Sequence, residues 1–358
     1  MSSFRQLVLN FGSTSTKFAV YEDEAELYTV TLRFSAEQLA PFREIYDQIE
    51  FREKPILDAL ASHGDSLEDF DAIIGRGGFI RAMGSGTVLV NDAVCADLRS
   101  GVYGKHAANL GGLVAKRLAD RIGKPAFIAD PVVVDEFDDI ARVSGYPLIE
   151  NHPVWHALNQ KAVAKAFAKR QGRRYEDMNL IVAHLGGGVS VGAHKLGRAV
   201  DVSNALDGGP FSPERSGTLP LRAFVKLCYS GKFTESEMVR EMNGRAGLVG
   251  YLGTNDAREV VARIKAGDEY AKLIYSAMAY QIAKEIGSMA VVLKGCADAI
   301  IITGGLAYDK LLTDMITDSV SFLTPVTIVP GEDELWALAM GGLSVLRGEE
   351  RALVYEDD

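Results

Sequence analysis

The chain opens with an apolar run, Gln6 to Phe11, which gives way to small hydroxyl residues and resumes at Phe18–Tyr21. That pattern predicts strand, tight turn, strand. Further short β-type runs are expected at 28–34, 71–75 and 86–91, a helix at Ala107–Ile122, and a strand at Pro125–Ala129. Gly, Pro, Asn and His gather between Ser144 and Pro153, which reads as a hinge. Beyond it, helical spacing puts Leu158, Val163, Ala166 and Phe167 on one face of a helix from Ala157 to Arg170. The opening pattern then recurs as a strand at Asn179–His184, a glycine turn at Leu185–Gly188 and a strand at Val189–Ala193. A third turn, Thr303-Gly304-Gly305, follows Ile300–Ile302 where a strand is expected to meet a helix. Gly341 and Gly342 sit within a final apolar helix, where close packing accounts for them.

Strand, small-residue turn, strand thus appears once in each half, and internal repetition of this kind carries more than either hairpin alone. It predicts two related α/β domains, each with a phosphate-binding hairpin, facing each other across a cleft. The expected division is residues 1–150 plus 336–358 against residues 151–335.

Composition fits that division. The 358 residues exceed one ordinary core, and 47% of them are apolar. A formal net charge of −10 argues against sequence-independent binding of nucleic acid or of an anionic membrane. A phosphorylated ligand on so acidic a protein needs a locally positive site, which draws attention to Lys17, Arg76 and Arg215. Cys95, Cys228 and Cys296 show no metal or redox spacing and are expected as reduced core thiols. No apolar run is long enough to span a bilayer and no basic-then-apolar leader is visible, so a cytoplasmic location is expected.

The candidate chemistry sits in the turns. Gly12 lets backbone approach a ligand, while Ser13, Thr14, Ser15 and Thr16 offer amides and hydroxyls beside the Lys17 cation. Oriented amides plus one cation suit terminal phosphates, although a hydroxyl-rich hairpin turn reads the same way in isolation. Asp130 ends a strand, where an α/β fold aims side chains at ligands; it is placed to hold Mg²⁺, orient an acceptor or cap a loop. Asp135, Glu136, Asp138 and Asp139 read as a solvated acidic loop. His156 precedes a helix and His184 precedes the second glycine turn, so each is placed to meet an anion, whereas His63, His106 and His152 take structural roles. Arg76 and Arg215 lie in glycine-rich loops, where a guanidinium fork matches phosphoryl oxygens.

These segments together resemble the acetate and butyrate kinase family, short-chain acyl kinases of the actin/hexokinase/Hsp70-like superfamily with RNase H-like domains. The resemblance runs through Asn10–Lys17, Ala183–Gly188, Ser212–Gly217 and Thr303–Gly305, nearly the whole chain in order. The wording Ala129–Glu136 and His156–Val163 is closer to butyrate than to acetate kinases.

The resemblance implies reversible phosphoryl transfer from ATP to a short-chain carboxylate, yielding acyl phosphate and ADP, with Mg²⁺. It implies a homodimer or higher homo-oligomer. It also implies roles for residues. Asn10, Gly12, Ser13, Ser15 and Lys17 match the first phosphate segment, and His184, Gly186, Gly187, Gly188, Gly304 and Gly305 the other nucleotide turns. Arg76 and Arg215 match the arginines that grip carboxylate and moving phosphoryl; Asp130 matches the catalytic aspartate and His156 a histidine on the phosphoryl. Asp256 and Arg258 resemble the segment beside adenosine. Asp130 and Glu334 are the implied metal carboxylates, with Glu332 or Asp333 as alternatives to Glu334.

Two departures stand out. Gly187 replaces an asparagine of acetate kinases, and Gly78 stands where they carry a bulkier residue, which would enlarge the acyl pocket. Butyrate is therefore the expected acid. A branched acid, propionate or acetate is the alternative within the class, and an actin-like or Hsp70-like ATPase without acyl transfer is the alternative outside it.

Overall fold

The computed structural model describes residues 3–355. The chain divides into two compact units: residues up to Val134 with those from Asp333 onward, and Asp135–Glu332.

The first unit is built on a seven-stranded mixed sheet. Its order is Leu353–Val354, Thr87–Leu89, Ala126–Ala129, Ala72–Arg76, Arg5–Phe11, Ser15–Glu22, Ala25–Arg33. Arg5–Phe11 lies inside it, antiparallel to Ser15–Glu22 (Leu9 opposite Phe18) and parallel to Ala72–Arg76 (Leu7 opposite Ile73). A strand covered on both faces must be apolar on both, and Leu7, Val8 and Leu9 are all buried. Helix Asn109–Ile122 comes so near Gly75 that a Cβ there would sit 2.2 Å from the Gly111 carbonyl oxygen. The neighbouring Ile74 points to the opposite face, where Gly342 of helix Glu334–Leu346 packs on it, leaving no space for a Cβ.

The second unit repeats the plan in a five-stranded sheet, Arg198–Val202, Val189–Lys195, Asn179–Leu185, Ala299–Gly304, Val326–Pro330. Three antiparallel strands lead into two parallel ones, as in the first unit from Ala25–Arg33 across to Ala126–Ala129. Helix Glu269–Val292 buries Ile274, Met278, Ile282 and Ile286, one residue per turn, with Ile181, Ala183, Ile300 and Ile302. Helix Ala157–Arg170 covers the alternate residues Leu180, Val182, Ala299 and Ile301.

Four expectations are corrected. The first crossing between units falls at 134/135 rather than 150/151, and the second at 332/333. Residues 135–142 are tied to the second unit by Glu136, which accepts from buried Lys161 at 2.5 Å and from the Ala199 amide, while Asp135 pairs with Arg142 within the segment. Those two acids are ion-pair partners rather than members of a solvated loop. The apolar face of Ala157–Arg170 is also more polar than its spacing implies, since Asn159, Gln160 and Lys161 are buried while Val163 and Ala166 are only half-buried. Of the cysteines, only Cys95 is a core thiol; Cys228 is half-buried and Cys296 exposed. Among the described residues, no helix is long and apolar enough to cross a membrane.

Candidate active site

The first hairpin turns tightly, Asn10 facing Lys17 and Phe11 facing Thr16, with the Gly12 amide donating to the Ser15 carbonyl at 2.8 Å. Directly opposed residues share a face, so Asn10, Lys17 and, two residues earlier, Ser15 project together, away from buried Thr16. Beneath the turn lies Arg52, fully buried on helix Ile49–Ser62. Its guanidinium donates to the carbonyls of Gly12 (2.7 Å), Ser13 (2.6 Å) and Ser15 (3.1 Å), and its Nε to Gln48. Burial lowers the Arg52 guanidinium from its ordinary value, yet arginine keeps its charge at any ordinary pH. The turn's carbonyls are thereby drawn inward. Arg52 was not among the expected residues; the signal was its place, with Ile56 and Leu60, on the buried stripe of its helix.

Asp130 follows strand Ala126–Ala129 with φ +36°, an uncommon conformation for a side-chain-bearing residue and one that concentrates at functional sites. Its Oδ1 accepts from the Ser85 hydroxyl (2.6 Å) and the Gly86 amide (2.9 Å). Arg76, at the end of the neighbouring strand, makes a two-pronged contact with Glu334, 2.9 Å to Oε1 and 3.1 Å to Oε2, and Asn10 donates to the same Oε2 at 2.6 Å. Gly78 is a packing glycine. A Cβ there would lie 2.2 Å from the Asn109 side chain and 2.6 Å from its Cα, so the expected widening of an acyl pocket is not the reason for it.

In the second unit the glycine turn Gly186–Gly188 and the loop carrying Arg215 are fastened together. Ser212 donates its hydroxyl to the Gly187 carbonyl and accepts from the Arg215 amide. The Arg215 guanidinium lies so close to Gly188 that a Cβ would meet its Nη1 at 2.2 Å, and it donates to the Ala205 carbonyl. Gly304 has φ +92° and abuts the Leu185 carbonyl, which brings the third turn against the second; only glycine fits both demands. His156 stacks on His184, centroids 3.8 Å apart. His184 reaches Asn159 at 2.8 Å and Glu332 Oε1 at 3.2 Å, and the Gly305 amide donates to the same Oε1.

An open groove of about 1300 Å³ runs past Gly186, Gly187, Gly305 and Glu332. Asp256 and Arg258 border it; their ion pair and helix-cap bonds push the Asp256 carboxyl down to about 2. Val261, Leu306 and Leu311 line it together with charged side chains such as Lys265, Lys310 and Asp314. A groove that joins glycine-turn amides to apolar side chains suits a nucleotide. Those apolar residues carry no sequence motif.

The three consecutive acids Glu332, Asp333 and Glu334 have three different jobs. Glu332 faces His184, Asp333 caps helix Glu334–Leu346 by accepting from the Trp336 amide, and Glu334 holds Arg76. No group of three or more His, Cys, Asp or Glu gathers among the described residues. Mg²⁺ does not require one, since one or two carboxylates and the nucleotide's own phosphates suffice. Asp130 fits that requirement; Glu334, with both oxygens committed to Arg76 and Asn10, serves first as a cation's partner.

Residues 153–319 match the acetokinase family. Butyrate kinase 2 of Clostridium acetobutylicum is 53% identical over 354 residues, 99% of each chain. The chain belongs to the acetokinase family. Butyrate kinase 1 of the same organism is 51% identical, covering 99% of this chain and all of that one. In three dimensions the family fold is shared with the acetate kinase of Porphyromonas gingivalis, at TM-score 0.79 and 22% identity over 96% of this chain and 100% of that one. A propionate kinase from Francisella tularensis superposes at TM-score 0.74 with 21% identity over 94% of this chain and 98% of that one. The expected α/β, actin-like ATPase fold is therefore the fold of this family member.

Proposed function

We propose that this acetokinase-family member catalyses butyrate + ATP ⇌ butyryl phosphate + ADP. The observation that carries the reading is the Arg76 fork holding a carboxylate, that of Glu334, in the two-pronged geometry an acyl carboxylate would take. The acid is read from relatives named butyrate kinases at 53% and 51% identity across their full length.

A butyrate oxygen attacks the γ-phosphorus, an O–P bond forms, the bond to the β-phosphate oxygen breaks, and ADP leaves with the electron pair. The nucleophile is already an anion at neutral pH, so no base is required. Arg76 orients the carboxylate, and Arg215 and His156 meet charge spreading over the equatorial oxygens. The turn at Gly12–Lys17 and the glycine turns at 186–188 and 304–305 bind phosphates. Bound Mg²⁺, with Asp130 among its partners, would supply neutralisation of phosphate charge. A cytoplasmic enzyme acting as a homodimer or larger homo-oligomer completes the reading.

The test is a hydroxylamine-trap assay over acetate, propionate, butyrate and isobutyrate. The highest kcat/KM should belong to butyrate. A clear preference for another acid would reassign the substrate, and ATP turnover independent of any acid would replace acyl transfer by simple ATPase activity.

A further inference from the structure

A buried chain of hydrogen bonds runs from Tyr175 to His156, and its polarity can be worked out atom by atom. The anchor is the Ser190 main-chain carbonyl, which can only accept. Gln160 Nε2 lies 3.1 Å from it and must therefore be the amide nitrogen, which fixes the orientation of the Gln160 side chain. Gln160 Oε1 then faces His194 Nε2 at 3.0 Å and must receive a proton from it. His194 is fully buried, and burial, aided by the charge of Lys161, drives its imidazole well below its ordinary value, so it is neutral. With its proton on Nε2, Nδ1 accepts from the Tyr175 hydroxyl at 2.6 Å.

The other hydrogen of Gln160 Nε2 goes to Ser190 Oγ at 2.8 Å, and the His156 main-chain amide donates to the same oxygen at 3.4 Å. Those two bonds fill the acceptor capacity of a hydroxyl, which leaves its one hydrogen to give. His156 Nδ1 is 2.8 Å away and receives it.

We propose that Ser190, oriented by Gln160 and His194, is a positioning residue that sets the tautomer of the His156 imidazole, with the proton on Nε2. The imidazole's own proton is then on Nε2, the nitrogen that would donate to a phosphoryl oxygen, so no change of tautomer accompanies the reaction. The role of the donor rests on the acyl-kinase reading; the proton's place does not. Gly192 belongs to the same device, because a Cβ there would stand 2.8 Å from Gln160 Oε1 and 3.1 Å from His194 Nε2.

The experiment is nitrogen-15 NMR of the histidine-labelled full chain at about pH 8, where an ordinary imidazole is neutral, with the His156 signals assigned through His156→Gln. Nδ1 should appear as an unprotonated, hydrogen-bonded nitrogen and Nε2 as protonated. The reverse assignment in the unmutated protein overturns the proposal without any variant having to fold. Ser190→Ala should move part of the proton to Nδ1 and lower kcat about tenfold, with both KM values within about twofold, because an orientation is lost rather than a ligand contact. Gly192→Ala should shift the same signals. Unchanged signals together with unchanged kcat in Ser190→Ala overturn the positioning role. Absence of activity toward every acid, with the Nε2 proton in place, overturns the acyl-kinase reading and leaves the proton assignment standing.

Discussion

Arg76 and Glu334 meet as fork and carboxylate, at 2.9 and 3.1 Å, with Asn10 adding a third bond to the same glutamate. A guanidinium satisfied in this way is held in one plane, which is how it must stand to receive a planar acyl carboxylate. Arg76→Lys keeps the charge and loses the fork. Steady-state kinetics should show the butyrate KM rising by about 30-fold, roughly 2 kcal/mol, with the ATP KM nearly unchanged. A rise confined to ATP would place Arg76 on the nucleotide instead.

Arg52 is expected to matter first for stability. Arg52→Met removes the donor to three half-buried carbonyls of the hairpin turn, and an unsatisfied acceptor costs about 1–3 kcal/mol where water cannot reach it. Water reaching the turn and relief of the buried charge offset part of this, so urea unfolding should show a net loss of about 3–5 kcal/mol. A loss below about 1 kcal/mol would mean that the turn holds its shape unaided.

Glu332 puts a carboxylate oxygen on the Gly305 amide and on His184, two groups proposed to meet a phosphate. An anion in an anion's place opposes ADP. Calorimetry in the presence of a chelator should therefore show Glu332→Gln binding ADP about tenfold more tightly, with adenosine affinity unchanged. Weaker binding of Mg²⁺–ADP alone, with free ADP unaffected, would make Glu332 a metal carrier.

His194 gives a pH dependence with a definite sign. Its imidazole is neutral in the fold because burial depresses it well below the ordinary value, whereas the unfolded chain takes up a proton below about pH 6.5. The unfolded state then binds more protons, so stability falls with decreasing pH at up to about 1.4 kcal/mol per unit and is independent of this group above that value. Denaturant titrations from pH 8 to 5 should show a shallower decline in His194→Gln than in the unmutated protein.

Much of the fold was readable because its signals are local. Two apolar strands flanking a small-residue turn were visible at Gln6–Tyr21 and again at Asn179–Ala193, and repetition implied a duplicated plan. What escaped was set by partners distant in sequence. Arg52 looks like one more charge in Phe51-Arg52-Glu53-Lys54 until the hairpin 40 residues earlier supplies its acceptors. Lys161 and Gln160 break the apolar face of their helix because Glu136 and Ser190 await them. Gly78 reads as a specificity position by alignment, while its neighbour Asn109 makes it a steric necessity. Composition cannot tell an acid that will be solvated from one that meets a buried lysine, and the compact units divide at 134/135 rather than near 150.

The Arg52 brace also bears on whether such a hairpin could be transplanted. Asn10–Lys17 is short enough to treat as a cassette, yet three of its carbonyls are shaped by a side chain on a separate helix. Moved alone to another sheet, it would carry the letters of a phosphate site and not its form. The unit that keeps its shape is the turn together with helix Ile49–Ser62.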